Sequence, residues 1–175
     1  MFNLAPLLLL FPLIGALING FFGRRIVKPN SHGEGELISG WIAAIMSILA
    51  FVVSVVLFLA LRDDYGPHLV KLFDWFRVGD FYIPWEMHID RLSSVMLLVV
   101  TGVGSLIHIY AIGYMHGDKD FPRFFTYLNL FMFFMLILVT GSSFLVLFVG
   151  WEGVGLASFL LIGFWFDKDL SLIHI

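Results

Sequence analysis

Long apolar runs separated by short polar segments make up most of this sequence. Five runs approach or exceed the roughly 20 residues that a helix needs to cross the hydrocarbon core of a bilayer. We therefore predict membrane helices at residues 4–22, 37–61, 92–115, 124–139 and 144–166. The first run could instead be a secretory signal peptide, but no basic residue precedes it and Arg24 and Arg25 follow it, which favours a retained helix. Asp90 or Ser93 is expected to cap the start of the third helix.

The segment between the second and third runs has a period of two instead of the helical period. From residue 80 to residue 90, apolar side chains alternate with others, and the apolar set comprises Phe81, Ile83, Trp85, Met87 and Ile89. This pattern predicts a half-buried strand, with residues 72–76 as its partner and residues 77–80 as the turn. An isolated hairpin is marginally stable in water. Its apolar side should therefore pack on this chain's own helices, on another protein or on the membrane surface.

Composition excludes a soluble domain. The chain has 175 residues, of which 60% are hydrophobic and only 13% are charged, and its mean hydropathy is +0.97. These proportions leave too few polar side chains to cover a soluble surface, so the predicted fold class is an all-α integral membrane protein with a β-hairpin between helices 2 and 3. The absence of cysteine excludes disulfides and thiolate ligation of metals or iron–sulfur clusters. The six histidines show no metal-ligand spacing, and a net charge of -3 does not suggest a nucleic-acid partner.

The basic residues of the loops predict an orientation. Arg24, Arg25 and Lys28 follow the first run, and Lys119 and Arg123 lie between the third and fourth runs. Cytoplasmic loops are enriched in such residues. We therefore expect both loops in the cytoplasm, with the N-terminus and the hairpin on the extracytoplasmic side.

Glu152 is the one acidic residue inside the fifth run. It lies about eight residues into the run, or ~12 Å at the rise of an α-helix, which is near the middle of the bilayer. A charge there costs roughly 2.5–3.5 kcal/mol on insertion scales, so Glu152 should be protonated, be paired with a basic group or face a wet cavity. A carboxyl group that gains and loses a proton in such a place suits proton translocation. No lysine occurs in the apolar runs to pair with it.

Small residues surround Glu152. Gly150, Gly153, Ala157 and Ser158 are predicted to form a helix-packing surface, because small side chains let a second backbone approach closely. They would also leave room for water beside Glu152. The alternative is that the whole region is a packing seam that contains a neutral, hydrogen-bonded glutamic acid.

His108 is the second ionisable residue predicted inside a membrane helix. Histidine titrates near neutral pH and can carry a proton, so His108 is a candidate for the proton path, although a packing role is the favoured interpretation. Asn129 is expected to bond a neighbouring helix. Tyr110, Tyr114 and Tyr127 are expected to anchor helices at the membrane interface.

Four segments resemble the antiporter-like L subunit of NADH:quinone oxidoreductase, respiratory complex I, in the superfamily shared with multisubunit cation/proton antiporters. They are residues 88–94, 102–115, 122–131 and 150–165, and the last, GWEGVGLASFLLIGFW, is the strongest match. The resemblance implies that Glu152 is the acidic member of a proton-translocating pair whose lysine lies on a seventh helix, outside this chain. It also implies that flavin, iron–sulfur clusters, NADH and quinone bind to partner subunits, and that the partners are other membrane-arm subunits, the bilayer and protons.

The resemblance implies a fragment of a larger helical bundle in a bacterial plasma membrane or an organellar inner membrane. Residues 1–61 would form helices 1 and 2, residues 62–90 the extracytoplasmic hairpin loop, and residues 91–168 helices 3–5 at the start of the proton-translocating domain. Residues 169–175 do not resemble the family and are interpreted as a truncation tail. Two alternatives remain open at this point: the large membrane subunit of a cation/proton antiporter or membrane-bound hydrogenase, and a structural membrane fragment without transport.

Overall fold

Five helices and one β-hairpin make up the described part of the computed structural model, which covers residues 2–27, 34–63 and 66–165. A short 3₁₀ turn, Phe2–Leu4, precedes them. The helices are α1 (Pro6–Ile26), α2 (Glu34–Asp63), α3 (Arg91–Tyr114), α4 (Phe121–Thr140) and α5 (Phe144–Ile162), and the strands are β1 (His68–Val78) and β2 (Phe81–Ile89). All five helices are long and apolar enough to cross a membrane. The predicted mostly helical architecture with five candidate spans and a two-stranded sheet is therefore confirmed.

The start of α4 and the end of α5 differ from the prediction, and a proline or a glycine lies at each of them. The fourth helix was predicted from residue 124, but α4 begins at Phe121, because a proline such as Pro122 is well tolerated in the first helical turn. The fifth was predicted to reach residue 166, but α5 ends at Ile162, where the backbone N–H of Gly163 donates to the carbonyl of Phe159. Residue 166 and the predicted tail at 169–175 lie outside the described residues.

The start of α3 uses both of its predicted capping residues. The carboxylate of Asp90 accepts a hydrogen bond from the backbone N–H of Ser93 at 2.7 Å, and the hydroxyl oxygen of Ser93 accepts one from the backbone N–H of Asp90 at 2.8 Å. This reciprocal arrangement is a capping box. The backbone hydrogen bond from Ser93 holds the pKa of Asp90 below its usual range. The turn from β2 into α3 is thereby fixed.

Helix α4 lies at the centre of the bundle and contacts α1, α2, α3 and α5, while α2 packs against both α1 and α3. Buried polar side chains join α2 to its two neighbours. The pairs are Asn19 with Ser39 at 2.8 Å, Ser47 with Ser105 at 3.0 Å and Ser54 with Thr101 at 3.1 Å. Interhelical hydrogen bonds of this kind stabilise helix association where no water competes. They fix how α1, α2 and α3 lie against one another.

The hairpin is longer and its turn is tighter than predicted. β1 and β2 pair antiparallel, with Val78 opposite Phe81, so the connecting loop is only Gly79 and Asp80. The predicted four-residue turn at 77–80 is therefore wrong for its first two residues. Gly79 has φ +59°, and a glycine with positive φ in the first position of a two-residue loop matches the right-handed twist of the paired strands.

The end of β2 packs on the chain's own helices. Met87 and Ile89 are fully buried in the helical core. The carbonyl of Glu86 accepts a hydrogen bond from the backbone N–H of Ser142, at 3.3 Å, in the turn between α4 and α5. At the other strand, the rings of Phe2 and His68 stack with centroids 3.6 Å apart. The base of the hairpin is thus held by the helical bundle at both strands.

Candidate functional site

Helix α5 meets α4 along the predicted small residues. Gly150, Gly153 and Ala157 are buried, and Ser158 is half-buried. A Cβ at Gly150 would lie 2.6 Å from the backbone nitrogen of Leu138, and one at Gly153 would lie 2.1 Å from the ring of Phe134. Contacts this close, with a backbone at Gly150 and with a ring at Gly153, leave no room for a larger side chain. The small-residue surface therefore serves the contact between α4 and α5.

Glu152 lies on another side of α5. Its side chain is exposed, as are the neighbouring Trp151 (65%) and Phe159 (69%). A Cβ at Gly155 would meet no atom within 4 Å, so this side of the helix is also open at the backbone. Glu152 and the buried small residues therefore lie on different sides of the helix, and the expected space for water between them stays a prediction.

His108 is buried inside the bundle, with 1% of its surface exposed. Its Nδ1 lies 2.7 Å from the carbonyl oxygen of Gly104, one turn earlier on α3. Because a carbonyl only accepts, Nδ1 must carry the hydrogen of the neutral ring, and Nε2 then presents a lone pair. Nε2 has no hydrogen-bond partner among the described residues. The ring also lies beside Phe125 of α4, with centroids 6.5 Å apart.

A groove of about 250 Å³ separates α3 from α4 next to this histidine. Apart from His108, its lining is apolar: Val99, Val100, Val103, Gly104, Ile107, Leu128, Phe131, Met132 and Met135. Val103 and Ile107 are about half exposed, so the groove opens to the outside of the bundle. An apolar groove of this kind offers few partners for an isolated water molecule.

The structure does not bring Glu152 and His108 together. His108 is buried on α3, whereas Glu152 is exposed on α5, and α3 and α5 both pack against α4. Among the described residues, no group of three or more His, Asp or Glu side chains could hold a metal ion. The two candidate residues therefore do not form one site within the described chain.

The expectation for Asn129 was wrong. Its Nδ2 donates to the carbonyl of Phe125 in its own helix, at 3.1 Å, instead of to a neighbouring helix. Its Oδ1 would lie 2.8 Å from a Cβ at Gly15, so the amide packs directly against the backbone of α1. Asn19, which sequence reasoning missed, makes the interhelical bond instead. The signal was present, because Asn19 lies one turn after Gly15 and one turn before Gly23, and helices approach closely along such rows.

The three tyrosines that were predicted to be interfacial differ in how exposed their side chains are. Tyr110 and Tyr114 are 72% and 56% exposed and stack on each other, with centroids 6.0 Å apart. Tyr127 is half-buried and packs against the core at that end of the bundle. Tyr110 and Tyr114 therefore have the exposure that a membrane-interface anchor needs.

The chain is similar to one subunit of respiratory complex I. Residues 75–125 match the family described as NADH-ubiquinone oxidoreductase (complex I), chain 5 N-terminus. The chain is 42% identical, over 95% of its length, to NADH-quinone oxidoreductase subunit L of Rickettsia bellii, and it covers 25% of that protein. It is 39% identical, over 92% of its length, to NADH-ubiquinone oxidoreductase chain 5 of Hypocrea jecorina, of which it covers 22%. The chain thus spans about a quarter of the length of these relatives.

A solved structure shares the fold. A chain of the membrane-bound sulfane sulfur reductase, an archaeal respiratory membrane complex, aligns with 96% of this chain at a TM-score of 0.78 and 15% identity, and 31% of that chain is covered. At this identity the likeness shows the fold alone. Together with the sequence matches, it confirms the predicted resemblance to the N-terminal part of the antiporter-like subunit.

Proposed function

We propose that this chain, which matches the N-terminal quarter of subunit L and chain 5 of NADH:quinone oxidoreductases, contributes to proton translocation in the membrane arm of such a complex. The observation that carries the proposal is the position of Glu152. It lies near the middle of a candidate membrane helix, and its side chain is exposed on the surface of the described bundle. A carboxylate facing lipid at that depth would be costly. An ionised Glu152 would therefore need protein or water from outside the described residues.

The exposed side of α5 is suited to receive another helix. Gly155 leaves its backbone open, and Leu156 and Phe159 offer apolar side chains on either side of the carboxylate. The resemblance implies that a lysine on a seventh helix pairs with Glu152. A helix seated on this side of α5 would bring such a cation to the carboxylate while excluding lipid.

The work of Glu152 in this proposal is to hold and release one proton at its carboxylate. A unit charge about 10 Å away, at an effective dielectric constant of 20, is worth ~1.7 kcal/mol. That energy changes a protonation equilibrium roughly fifteenfold. A carboxyl group whose protonated and ionised forms are close in free energy would therefore release its proton when a cation comes to that distance. It would take up a proton when the cation leaves.

The described contacts of His108 fit a packing role better than a place on the proton path. Its Nδ1 is engaged within its own helix, and the adjoining groove is lined by apolar side chains. Its Nε2 lone pair could accept a proton from a neighbour that enters the groove. We therefore propose a packing role for His108.

The proposed setting combines the names of the relatives with the orientation predicted from the loop charges. The partners would be other membrane-arm subunits, in a bacterial plasma membrane or an organellar inner membrane, with the N-terminus and the hairpin on the extracytoplasmic side. The resemblance implies that NADH, flavin, iron–sulfur clusters and quinone would bind to those partners. The fold is shared with another respiratory membrane complex, and we prefer complex I because its subunits are about 40% identical to this chain, against 15% for the other.

The test is Glu152→Gln in the full-length protein within its assembled complex. Glutamine keeps the size and hydrogen bonding of the side chain but cannot titrate, so we expect fewer protons pumped per NADH oxidised with assembly retained. Glu86→Gln is the matched control, because the same change is made in the hairpin, outside the helices. Glu152→Asp keeps a titratable group and should retain part of the pumping. Unchanged pumping in Glu152→Gln would reduce Glu152 to a packing residue.

A further inference from the structure

A cavity of about 350 Å³ lies where the end of α1 meets the start of α4. Its lining comprises Arg24, Val27, Lys119, Asp120, Pro122 and Arg123. Three of these residues are basic and one is acidic, so the lining carries a net charge of +2. Both helices are candidate membrane spans, and the cavity lies at their ends. It is therefore a cationic cavity at the ends of two candidate membrane helices.

Close helix contact shapes this cavity. A Cβ at Gly23 would lie 2.4 Å from the Cβ of Pro122, so α1 and α4 touch directly beside it. The start of a helix also carries a partial positive charge from its unpaired backbone N–H groups. The first turn of α4 therefore adds to the positive potential of the basic side chains.

Arg123 is held in place before any ligand arrives. Its Nη2 lies 3.3 Å from a carboxylate oxygen of Asp120 and donates to the carbonyl of Phe164 at 3.2 Å. Its guanidinium also lies 4.8 Å from the centre of the Phe164 ring. A side chain that is already ordered loses little conformational freedom on binding. Guanidinium groups match the geometry of phosphate oxygens.

The surroundings of the cavity favour a lipid as its occupant. Phe21 is 76% exposed and lies three residues before Arg24, on the same side of α1. A ligand with a phosphate in the cavity would thus have an apolar helix surface directly alongside, in the hydrocarbon. Basic cavities between membrane helices attract anionic headgroups. We propose that this cavity binds the phosphate of an anionic phospholipid, with an acyl chain lying along Phe21.

The proposal is independent of the role of Glu152 and is tested by photocrosslinking. The full-length protein in its assembled complex is placed in phosphatidylcholine nanodiscs with a photoreactive phosphatidylglycerol, and the crosslinked peptide is identified by mass spectrometry. We expect crosslinks at residues 21–27. Arg24→Gln combined with Lys119→Gln should lower the yield at this site by roughly fivefold for each charge removed. Arg123 is left intact because it also joins α4 to the turn after α5.

The matched control is Arg25→Gln, compared with Arg24→Gln alone, because each removes one charge from α1 but Arg25 does not line the cavity. Its crosslink yield should equal that of the unchanged protein. An equal loss in Arg25→Gln, or an equal yield with a photoreactive phosphatidylcholine, would overturn the proposal of an anionic-lipid site. Displacement of the lipid by millimolar inorganic phosphate would identify a site for free phosphate and would equally overturn it.

Discussion

Replacing Gly150 by alanine should push α5 away from α4. The new Cβ would lie 2.6 Å from the backbone nitrogen and 2.7 Å from the Cα of Leu138, whereas ordinary contacts begin at 3.4 Å. The helices would have to separate locally by roughly 0.8 Å, the difference between 3.4 and 2.6 Å. A side chain could rotate out of the way, but the backbone of α4 cannot. The strain therefore has to be taken up by the whole interface.

The expected cost follows from two opposing effects. Overpacking of a well-packed interior costs about 1–3 kcal/mol. Alanine also favours the helix over glycine by roughly 0.8–1 kcal/mol, which offsets part of that cost. Gly113→Ala isolates the second effect, because it makes the same change near the end of α3, where a Cβ would meet no described atom within 4 Å. The two variants should therefore differ by about 1–3 kcal/mol, the overpacking cost alone.

The measurement is the free energy of unfolding of each full-length variant, from a titration with sodium dodecyl sulfate in mixed micelles. We expect Gly150→Ala to unfold at lower detergent fraction than the unchanged protein, and Gly113→Ala to be unchanged or more stable. Equal stability of the two alanine variants would show that the contact between Gly150 and Leu138 is looser than described, and would refute the argument from backbone contact.

Three further predictions concern other parts of the chain. His108→Gln should leave assembly and proton pumping near normal, because an amide can still donate to Gly104; a pumping loss in assembled complex would place His108 on the proton path. Asp90→Ala should cost about 0.5–2 kcal/mol of stability through the lost cap. Since the pKa of Asp90 is lowered in the fold, the contribution of its carboxylate should be present at neutral pH and disappear as the pH falls through the folded-state value, an acid sensitivity that Asp90→Asn should lack. Single cysteines at 75–86 should react with an impermeant reagent from outside while those at 116–121 should not, and the reverse labelling would overturn the proposed orientation.

The length of the apolar runs and the switch to a period of two were enough to predict the helices and the hairpin. Both signals reflect burial of one side of a regular element. The ends were less predictable, because they depend on single residues. Pro122 extends α4 and Gly163 ends α5, and Gly79 allows a turn of two residues where four were expected.

The surroundings of Glu152 could not be predicted for a different reason. Helix α5 is apolar on nearly every side, so its sequence does not indicate which side meets α4. Small residues marked the contact correctly, because only glycine allows the observed approach to Leu138 and Phe134. Positions 152 and 153 point in different directions around the helix. Glu152 therefore lies outside the contact with α4 that Gly153 makes, but this can be seen only once the position of α4 is known.

The hydrogen bond between Glu86 and Ser142 has a consequence for biogenesis. During synthesis the hairpin leaves the ribosome before α4 and α5 exist, so neither its partner at Ser142 nor the helical core around Met87 is complete. The nascent hairpin therefore stays at the membrane surface with its apolar side chains uncovered until α4 and α5 insert. Its docking on the bundle reports the arrival of α5. A protease or a thiol reagent acting on stalled nascent chains would detect that moment as the protection of residues 86–89.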